Sequence, residues 1–279
     1  MQIFLCHRTQ CVRVNSHLTS FLDVGSGIGQ GTILGPLLFI LFLNDMSTCL
    51  TPSATLKLFA DDAKLYSVSE SEINRLSLQE NLNNIHQYMN QWQLRINPDK
   101  CECLHLGYNN SHEVYFLDDT QIPSVTKTRD LGVIISCDLK VRNHCNDIIR
   151  RAYHRLRQFH LAFSCKEQDF QLDIYKTYVR PILEYNTQVW SPYLLSDIND
   201  VERVQRFFTK RLPGMWNLPY LERLQILSLE TLENRRIKND LVLLYKIVYK
   251  FVDIESENMF PFNTNNTRGH WAKINHQYS

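Results

Sequence analysis

Two segments with strand character, Leu56-Lys57-Leu58-Phe59 and Lys64-Leu65-Tyr66-Ser67-Val68, flank Ala60-Asp61-Asp62-Ala63. No other stretch limits the local fold as much. Two adjacent carboxylates are costly to bury without partners. The segment therefore predicts a β-hairpin whose turn carries Asp61 and Asp62. Aspartate is common in such turns because its side chain bonds nearby backbone, so the pair alone fits a solvated turn.

The rest of the chain reads as ordinary globular sequence. Its 279 residues suffice for one large domain or two small ones. A hydrophobic share of 44% and a charged share of 21% argue against disorder over most of the chain. Net charge is +1, so any attraction to nucleic acid must come from local charge arrangement. The eight cysteines form no CxxC pair, which reads as reduced thiols in an intracellular protein, nuclear or cytoplasmic. Asn109-Asn110-Ser111 and Asn265-Asn266-Thr267 match the glycosylation pattern and read as chance matches. Met1 to Arg8 lacks the pattern of a signal peptide. The most apolar run, Ile33 to Leu43, is shorter than the roughly 20 residues a membrane span needs.

Along the chain, Val12 and Val14 alternate with polar neighbours as in a half-buried strand. Gly25, Gly27, Gly29 and Gly31 mark a flexible loop, and Pro36 opens an all-round apolar helix suited to a core. After the hairpin, Ser69 and Glu72 form a capping-box pair. Leu78, Leu82, Ile85, Met89 and Trp92 keep helical spacing, and Asn97-Pro98 stops the helix. Cys101 to Leu106 reads as a strand, and Val114 to Ile135 as a short hairpin followed by a strand. From about residue 140 the periodicity becomes helical: Ile149 to Phe163, Ile198 to Leu212, and Leu241 to Phe251. The expected fold is α/β over 1–136, all-helical over 137–255, with an irregular tail over 256–279.

The paired acids also have a chemical reading. Mg²⁺ takes carboxylate oxygens and keeps substrate phosphates as further ligands. Two such ions about 4 Å apart can stabilise both the attacking and the leaving oxygen of a displacement at phosphorus. The neighbouring segments follow in a set order. Ser26-Gly27-Ile28-Gly29-Gln30-Gly31-Thr32-Ile33-Leu34-Gly35-Pro36-Leu37-Leu38-Phe39 precedes Asn44-Asp45 and the Phe59-Ala60-Asp61-Asp62 turn. Leu94-Arg95-Ile96-Asn97-Pro98-Asp99-Lys100-Cys101 and Asp130-Leu131-Gly132-Val133 come after it. Tyr175-Lys176-Thr177-Tyr178-Val179-Arg180-Pro181-Ile182-Leu183-Glu184-Tyr185 and Val189-Trp190-Ser191-Pro192 close the series. The series, from about Phe4 to about Asp253, resembles the reverse transcriptase of non-LTR (LINE-type) retrotransposons of the jockey-like and CR-like branch.

That resemblance implies an α+β palm with an antiparallel sheet, followed by an all-helical thumb and C-terminal region. It implies an RNA-directed DNA polymerase that uses two Mg²⁺ ions, an RNA template, a DNA primer and deoxynucleoside triphosphates. No membrane and no structural zinc are implied. Asp61 matches the Mg²⁺-coordinating aspartate and Asp62 its neighbour, so both are the metal candidates. Phe59 and Ala60 match the turn near the primer end, and Gln30 and Gly31 the loop against the template–nucleotide pair. Lys100 matches the lysine near the triphosphate, where an ammonium can neutralise or protonate leaving pyrophosphate. Its alternative is a solvated surface lysine. Asp130-Leu131-Gly132 falls near the primer-grip region. Two features depart from the pattern. Gly29 stands where the family usually has proline, and the strand bearing the first catalytic aspartate would lie before Met1. The resemblance therefore implies an incomplete cation site and little polymerisation by this chain alone.

Lys140, Arg142, Arg150, Arg151, Arg155 and Arg157 face the single acid Asp147 across the first helix of the second half. They read either as a solvated face or as thumb contacts to nucleic-acid backbone. Arg203, Arg206, Lys210 and Arg211 read as solvated. Tyr175, Tyr178, Tyr185 and Trp190 read as core. Cys137, His144 and Cys145 lack a fourth ligand for zinc. A remnant of the same element that only binds nucleic acid, and an unrelated α/β protein with a chance turn, are the rival readings.

Overall fold

The computed structural model describes residues 6–25, 27, 29, 31–68, 71–108 and 110–254. The chain divides into two compact units, Met1–Val125 and Thr126–Ser279. The expected tail over 256–279 lies outside the described residues.

The first unit opens with short ladders. β1 (Thr9–Gln10) pairs antiparallel with β4 (Leu22–Asp23), and β2 (Arg13–Val14) pairs with β3 (His17–Leu18) between them. Val12 and Val14 are exposed, so the alternation there does not mark a half-buried strand. A two-residue pairing covers neither of its faces. Helix α1 (Leu34–Leu43) starts behind Thr32, whose Oγ1 donates to the Gly29 carbonyl at 2.8 Å and accepts the Gly35 N–H at 3.1 Å. Pro36 sits in its first turn, where a missing N–H costs nothing. Leu43, with Phe39 and Phe42, packs inward, whereas Leu37, Ile40 and Leu41 are exposed. The expectation of all-round burial is thus corrected: the core covers only one side of the helix.

The acidic segment forms β5 (Thr55–Phe59) and β6 (Asp62–Tyr66), antiparallel and in the register Phe59↔Asp62, Leu56↔Leu65. Helix α2 (Glu72–Gln91) is capped by Ser71, whose Oγ accepts the Asn74 N–H at 3.3 Å. This corrects the expected Ser69–Glu72 cap, and Ser69 lies outside the described residues. Nor does Asn97-Pro98 end the helix. Gln93 adopts φ +56°, its N–H reaches the Asn90 carbonyl, and the Leu94 N–H reaches the Met89 carbonyl at 2.8 Å. That left-handed closure takes up the last carbonyls before the proline is reached. Leu43, Met46, Ile85 and Tyr88 are the buried centre, with Leu56 and Leu65 packed against them. The Tyr88 hydroxyl donates to Asp45 Oδ1 at 2.7 Å, and burial first, then the carboxylate, push its pKa up to about 12.

The expected strand over Cys101 to Leu106 shrinks to β7 (Cys103–Leu104), which pairs in parallel with β10 (Ser124–Val125). Between them, β8 (Phe116–Leu117) and β9 (Thr120–Gln121) form the anticipated short hairpin. Tyr115, Leu117 and Ile122 make a second small core. Among the described residues the strands pair in twos, all antiparallel except β7 with β10, which fits the expected mixed α/β character.

The second unit begins with the hairpin of β11 (Lys127–Asp130) and β12 (Val133–Ser136). Helices follow: α3 (Arg142–Ala162), α4 (Gln168–Ile174), α5 (Arg180–Glu184), α6 (Thr187–Trp190), α7 (Leu195–Arg211), α8 (Tyr220–Ile226) and α9 (Leu232–Val248). Residues Tyr175–Val179 are a π-helical turn joining α4 to α5. It ends just before Pro181, which has no N–H to continue the ladder. The hairpin is tied to the helices of this unit. The Ile134 N–H donates to His144 Nδ1 at 3.1 Å, Asn143 to Ser136 Oγ at 2.8 Å, and the Tyr185 hydroxyl to the Leu131 carbonyl at 3.0 Å. Gly132 turns with φ +88°, and a Cβ there would stand 3.2 Å from the Tyr185 ring. Tyr175 and Trp190 are core residues as expected, while Tyr178 and Tyr185 are exposed.

A buried polar network holds the helices in register. Gln205 accepts from the Tyr175 hydroxyl at 2.9 Å and donates to the Tyr220 hydroxyl and the Glu230 carbonyl, both at 2.9 Å. Glu202 accepts from the Tyr220 hydroxyl and from the Leu232 N–H at 2.9 Å, at the start of α9. Glu202→Ala strands these buried donors and is expected to cost about 2–4 kcal/mol in urea unfolding. A cost well below that range would show that water replaces the carboxylate.

His144 is buried edge-on to Trp190 with ring centroids 4.8 Å apart, and burial lowers its pKa to about 4. Its unfolded value, near 6.5, is higher, so the unfolded chain binds the extra proton between those limits. Stability is therefore expected to fall as pH drops from about 6.5 to about 4, by at most about 3 kcal/mol from this group. Asp147, held low by its arginines, adds its own loss only below the ordinary carboxylate range. Denaturant melts across that window should show the slope in the wild type and a flatter one in His144→Gln.

Candidate functional site

The hairpin connection is two residues, Ala60-Asp61, rather than the four-residue turn expected, because Asp62 and Ala63 already belong to the β6 ladder. Ala60 takes φ +51°. That conformation disfavours a residue with a Cβ by about 1–2 kcal/mol, so the ladder on either side must impose it. Side chains alternate along the strands. Leu56 and Leu65 carry one face into the core, and Asp62 stands on the opposite face with Phe59, Lys57 and Lys64. Phe59, Ala60, Asp61 and Asp62 are consecutive and exposed. Neither aspartate is in an ion pair among the described residues, so both carboxylates face solvent.

These donors suit a hard cation in kind. Mg²⁺ commonly takes one or two protein carboxylates and fills its remaining positions with phosphate and water. Among the described residues no third histidine, cysteine or acid groups with the pair.

Two more predicted residues lie on elements of the same unit. Gly31 precedes α1 with φ +75°, where a Cβ would meet no described atom within 4 Å. Its requirement for glycine is conformational. Lys100 ends a 3₁₀ turn, Pro98–Lys100, which Asn97 caps by accepting the Asp99 N–H at 3.1 Å. It is exposed and forms no ion pair among the described residues. Gln30 lies outside the described residues.

In the second unit the basic residues divide into two groups. Arg142 is paired with Asp197 and, at 3.2 Å, with Asp200, and Lys140 stands 3.6 Å from Asp138. Asp147 receives Arg129 at 2.9 Å, Arg150 at 3.0 Å and Arg151 at 3.6 Å. Burial pushes the Asp147 carboxyl up, but the hydrogen bonds and charge of Arg129, Arg150 and Arg151 hold it below its ordinary value. Arg155 and Arg157 are exposed with no acid beside them among the described residues. The sequence shows Asp147 as a near neighbour, but Asp197, 55 positions from Arg142, is brought there only by folding. On α7, Arg206 lies over the Tyr220 ring at 5.0 Å and Arg211 over the Phe207 ring at 3.9 Å. No helix among the described residues is long and apolar enough to cross a membrane.

Comparison with known proteins agrees with these segments. Residues 1–135 match the family described as reverse transcriptase (RNA-dependent DNA polymerase). The chain is similar to three Drosophila melanogaster proteins. One is a probable RNA-directed DNA polymerase from transposon X-element, 25% identical over 77% of this chain and 24% of its own length. The second is the RNA-directed DNA polymerase from mobile element jockey, 27% identical over 76% and 24%. The third is a probable RNA-directed DNA polymerase from transposon BS, 26% identical over 80% and 26%. The chain thus spans about a quarter of the length of these curated relatives. Its first half carries the family match, and the relatives extend the likeness into the helices, so the chain belongs to the reverse transcriptases of non-LTR mobile elements.

Proposed function

We propose that this chain supplies part of an RNA-directed DNA polymerase, with Asp61 and Asp62 holding Mg²⁺ against the triphosphate of an incoming deoxynucleotide. The observation that carries this reading is the pair of exposed carboxylates, free of ion pairs among the described residues, on a hairpin anchored through Leu56 and Leu65. A rigid strand pair is what such a site needs, since positioning errors of about 0.5 Å matter to a reacting group. Bound there, the cations neutralise charge on the transferring phosphate. In this reading Asp61 and Asp62 hold the cations, and Phe59 and Ala60 shape the turn beside the primer end. Gln30 and Gly31 border the template–nucleotide pair, and Lys100 offers an ammonium to the leaving pyrophosphate. Residues 1–136 act as palm and 137–255 as thumb, meeting an RNA template and DNA primer through the basic face of α3. Arg155 and Arg157, on different sides of α3, contribute most, because Lys140, Arg142, Arg150 and Arg151 lie against acids.

Two measurements test it. Mn²⁺ binding in the presence of a deoxynucleoside triphosphate, followed by electron paramagnetic resonance, is expected to weaken at least about tenfold in Asp61→Asn, a loss of one charged ligand. Equal binding by the wild type and the variant would remove Asp61 from the cation site. In filter binding of a primer–template across a salt series, Arg155→Ala with Arg157→Ala is expected to reduce the slope of log K against log salt by about 2. Arg150→Ala should change it less, because that guanidinium is shared with Asp147. A double variant with an unchanged slope would take α3 out of contact with the backbone.

A further inference from the structure

In the second unit, α3, the segment after it, α4 and α7 enclose a pocket of about 330 Å³. Its size falls at the small end of the range for ligand sites, roughly 300–1,000 Å³, which suits a single planar group and not a duplex. The walls are aromatic. Phe163 stands 6.0 Å from Phe159 with planes 25° apart and 5.5 Å from Phe170 at 73°, so two ring orientations meet at one mouth. Phe163 is also 46% exposed, leaving a ring face open to an incoming group.

The two arginines are the fully charged groups of the lining, which also includes Tyr153 and Gln171. Arg157 and His160 come from α3 and Arg211 from α7, and no acidic side chain contributes to the lining. The Arg211 guanidinium carbon stands 3.9 Å from the Phe207 ring centroid, a cation–π contact that holds the group beside the pocket. Arg157 and Arg211 have no ion-pair partner among the described residues. An apolar slot with a cationic rim complements a flat, apolar-faced group that carries negative charge beside it.

We infer that this pocket takes one unstacked base of a single-stranded nucleic acid, with the adjoining phosphate bound by Arg157 and Arg211. The inference rests on the proposed role in handling nucleic acid and adds to it a second mode of contact. The basic face of α3 meets backbone without regard to strandedness. A pocket that swallows a base admits only strands whose bases are free to leave the stack. Any base has a face to stack, so the pocket selects for strandedness more than for sequence.

The test uses the full 279-residue chain. Fluorescence anisotropy is measured with a labelled short oligothymidine and with a blunt duplex, at low salt. Phe163→Ala is expected to weaken the oligothymidine about tenfold while leaving the duplex unchanged, as loss of one stacking ring should. Phe163→Trp should restore binding. The thiol of Cys165, exposed and part of the lining, gives a readout that needs no variant. Oligothymidine should protect it from alkylation, and the duplex should not. If Phe163→Ala weakens both ligands equally, or neither, the pocket holds no base. If an acidic phenylalanine-containing peptide protects Cys165 and oligothymidine does not, the occupant is a protein and the inference is overturned. If the wild type binds duplex but oligothymidine leaves Cys165 open, the pocket assignment alone fails. Absence of binding to either ligand overturns the nucleic-acid reading itself.

Discussion

The cross-strand pair Leu56–Leu65 fixes where the acidic turn can be. Both side chains enter the core that α1 and α2 share, so the far end of the same short ladder is carried out into solvent by about three residues of strand. Carboxylates at that end keep their hydration. Had the register slipped by one residue, Asp62 would have pointed into the apolar face, where an unpaired carboxylate is far more costly than any turn preference. The left-handed Ala60 is the local strain that this register imposes on the connection. The Tyr88–Asp45 hydrogen bond ties the segment after α1 to α2, so the elements packed under the hairpin are themselves braced.

The second unit is organised around charges satisfied internally. Asp147, Asp197 and Asp200 take up arginines that by sequence look like an open basic face, and Glu202 with Gln205 takes up the buried hydroxyls and the first amide of α9. Arginines held by acids steady the packing of α3 against α7 and the hairpin, and they contribute less to an approaching phosphate. Arg155, Arg157 and Arg211 are among the basic residues with no acid beside them among the described residues, and Arg157 and Arg211 border aromatic rings.

Much of the architecture was legible before any coordinates. The hairpin at Asp61-Asp62, the helix over Leu78 to Met89 and the helices through Ala152, Val204 and Tyr245 all follow from spacing, because each must bury one face, although the last begins at Leu232, before the expected Leu241, and ends before Phe251. Element ends were less legible. Ser71 rather than Ser69 caps α2, and the left-handed Gln93 ends it before Asn97-Pro98. Such choices turn on single dihedral angles that several neighbouring residues could adopt. The helix pair α4–α5, with its π turn, and the short α8 were missed, since neither shows a long apolar stripe.

What the sequence alone determined is the identity of the family and the presence of two adjacent acids at the end of a hairpin. Both depend on residue order and on the price of burying charge, and neither needs a partner far along the chain. Which arginines remain open, which face of α1 is covered, why Gly132 must lack a side chain beside Tyr185, and the enclosure of an aromatic pocket by α3, α4 and α7 were decided by tertiary packing. Each of these joins residues distant in sequence, and no local spacing encodes which of them will meet.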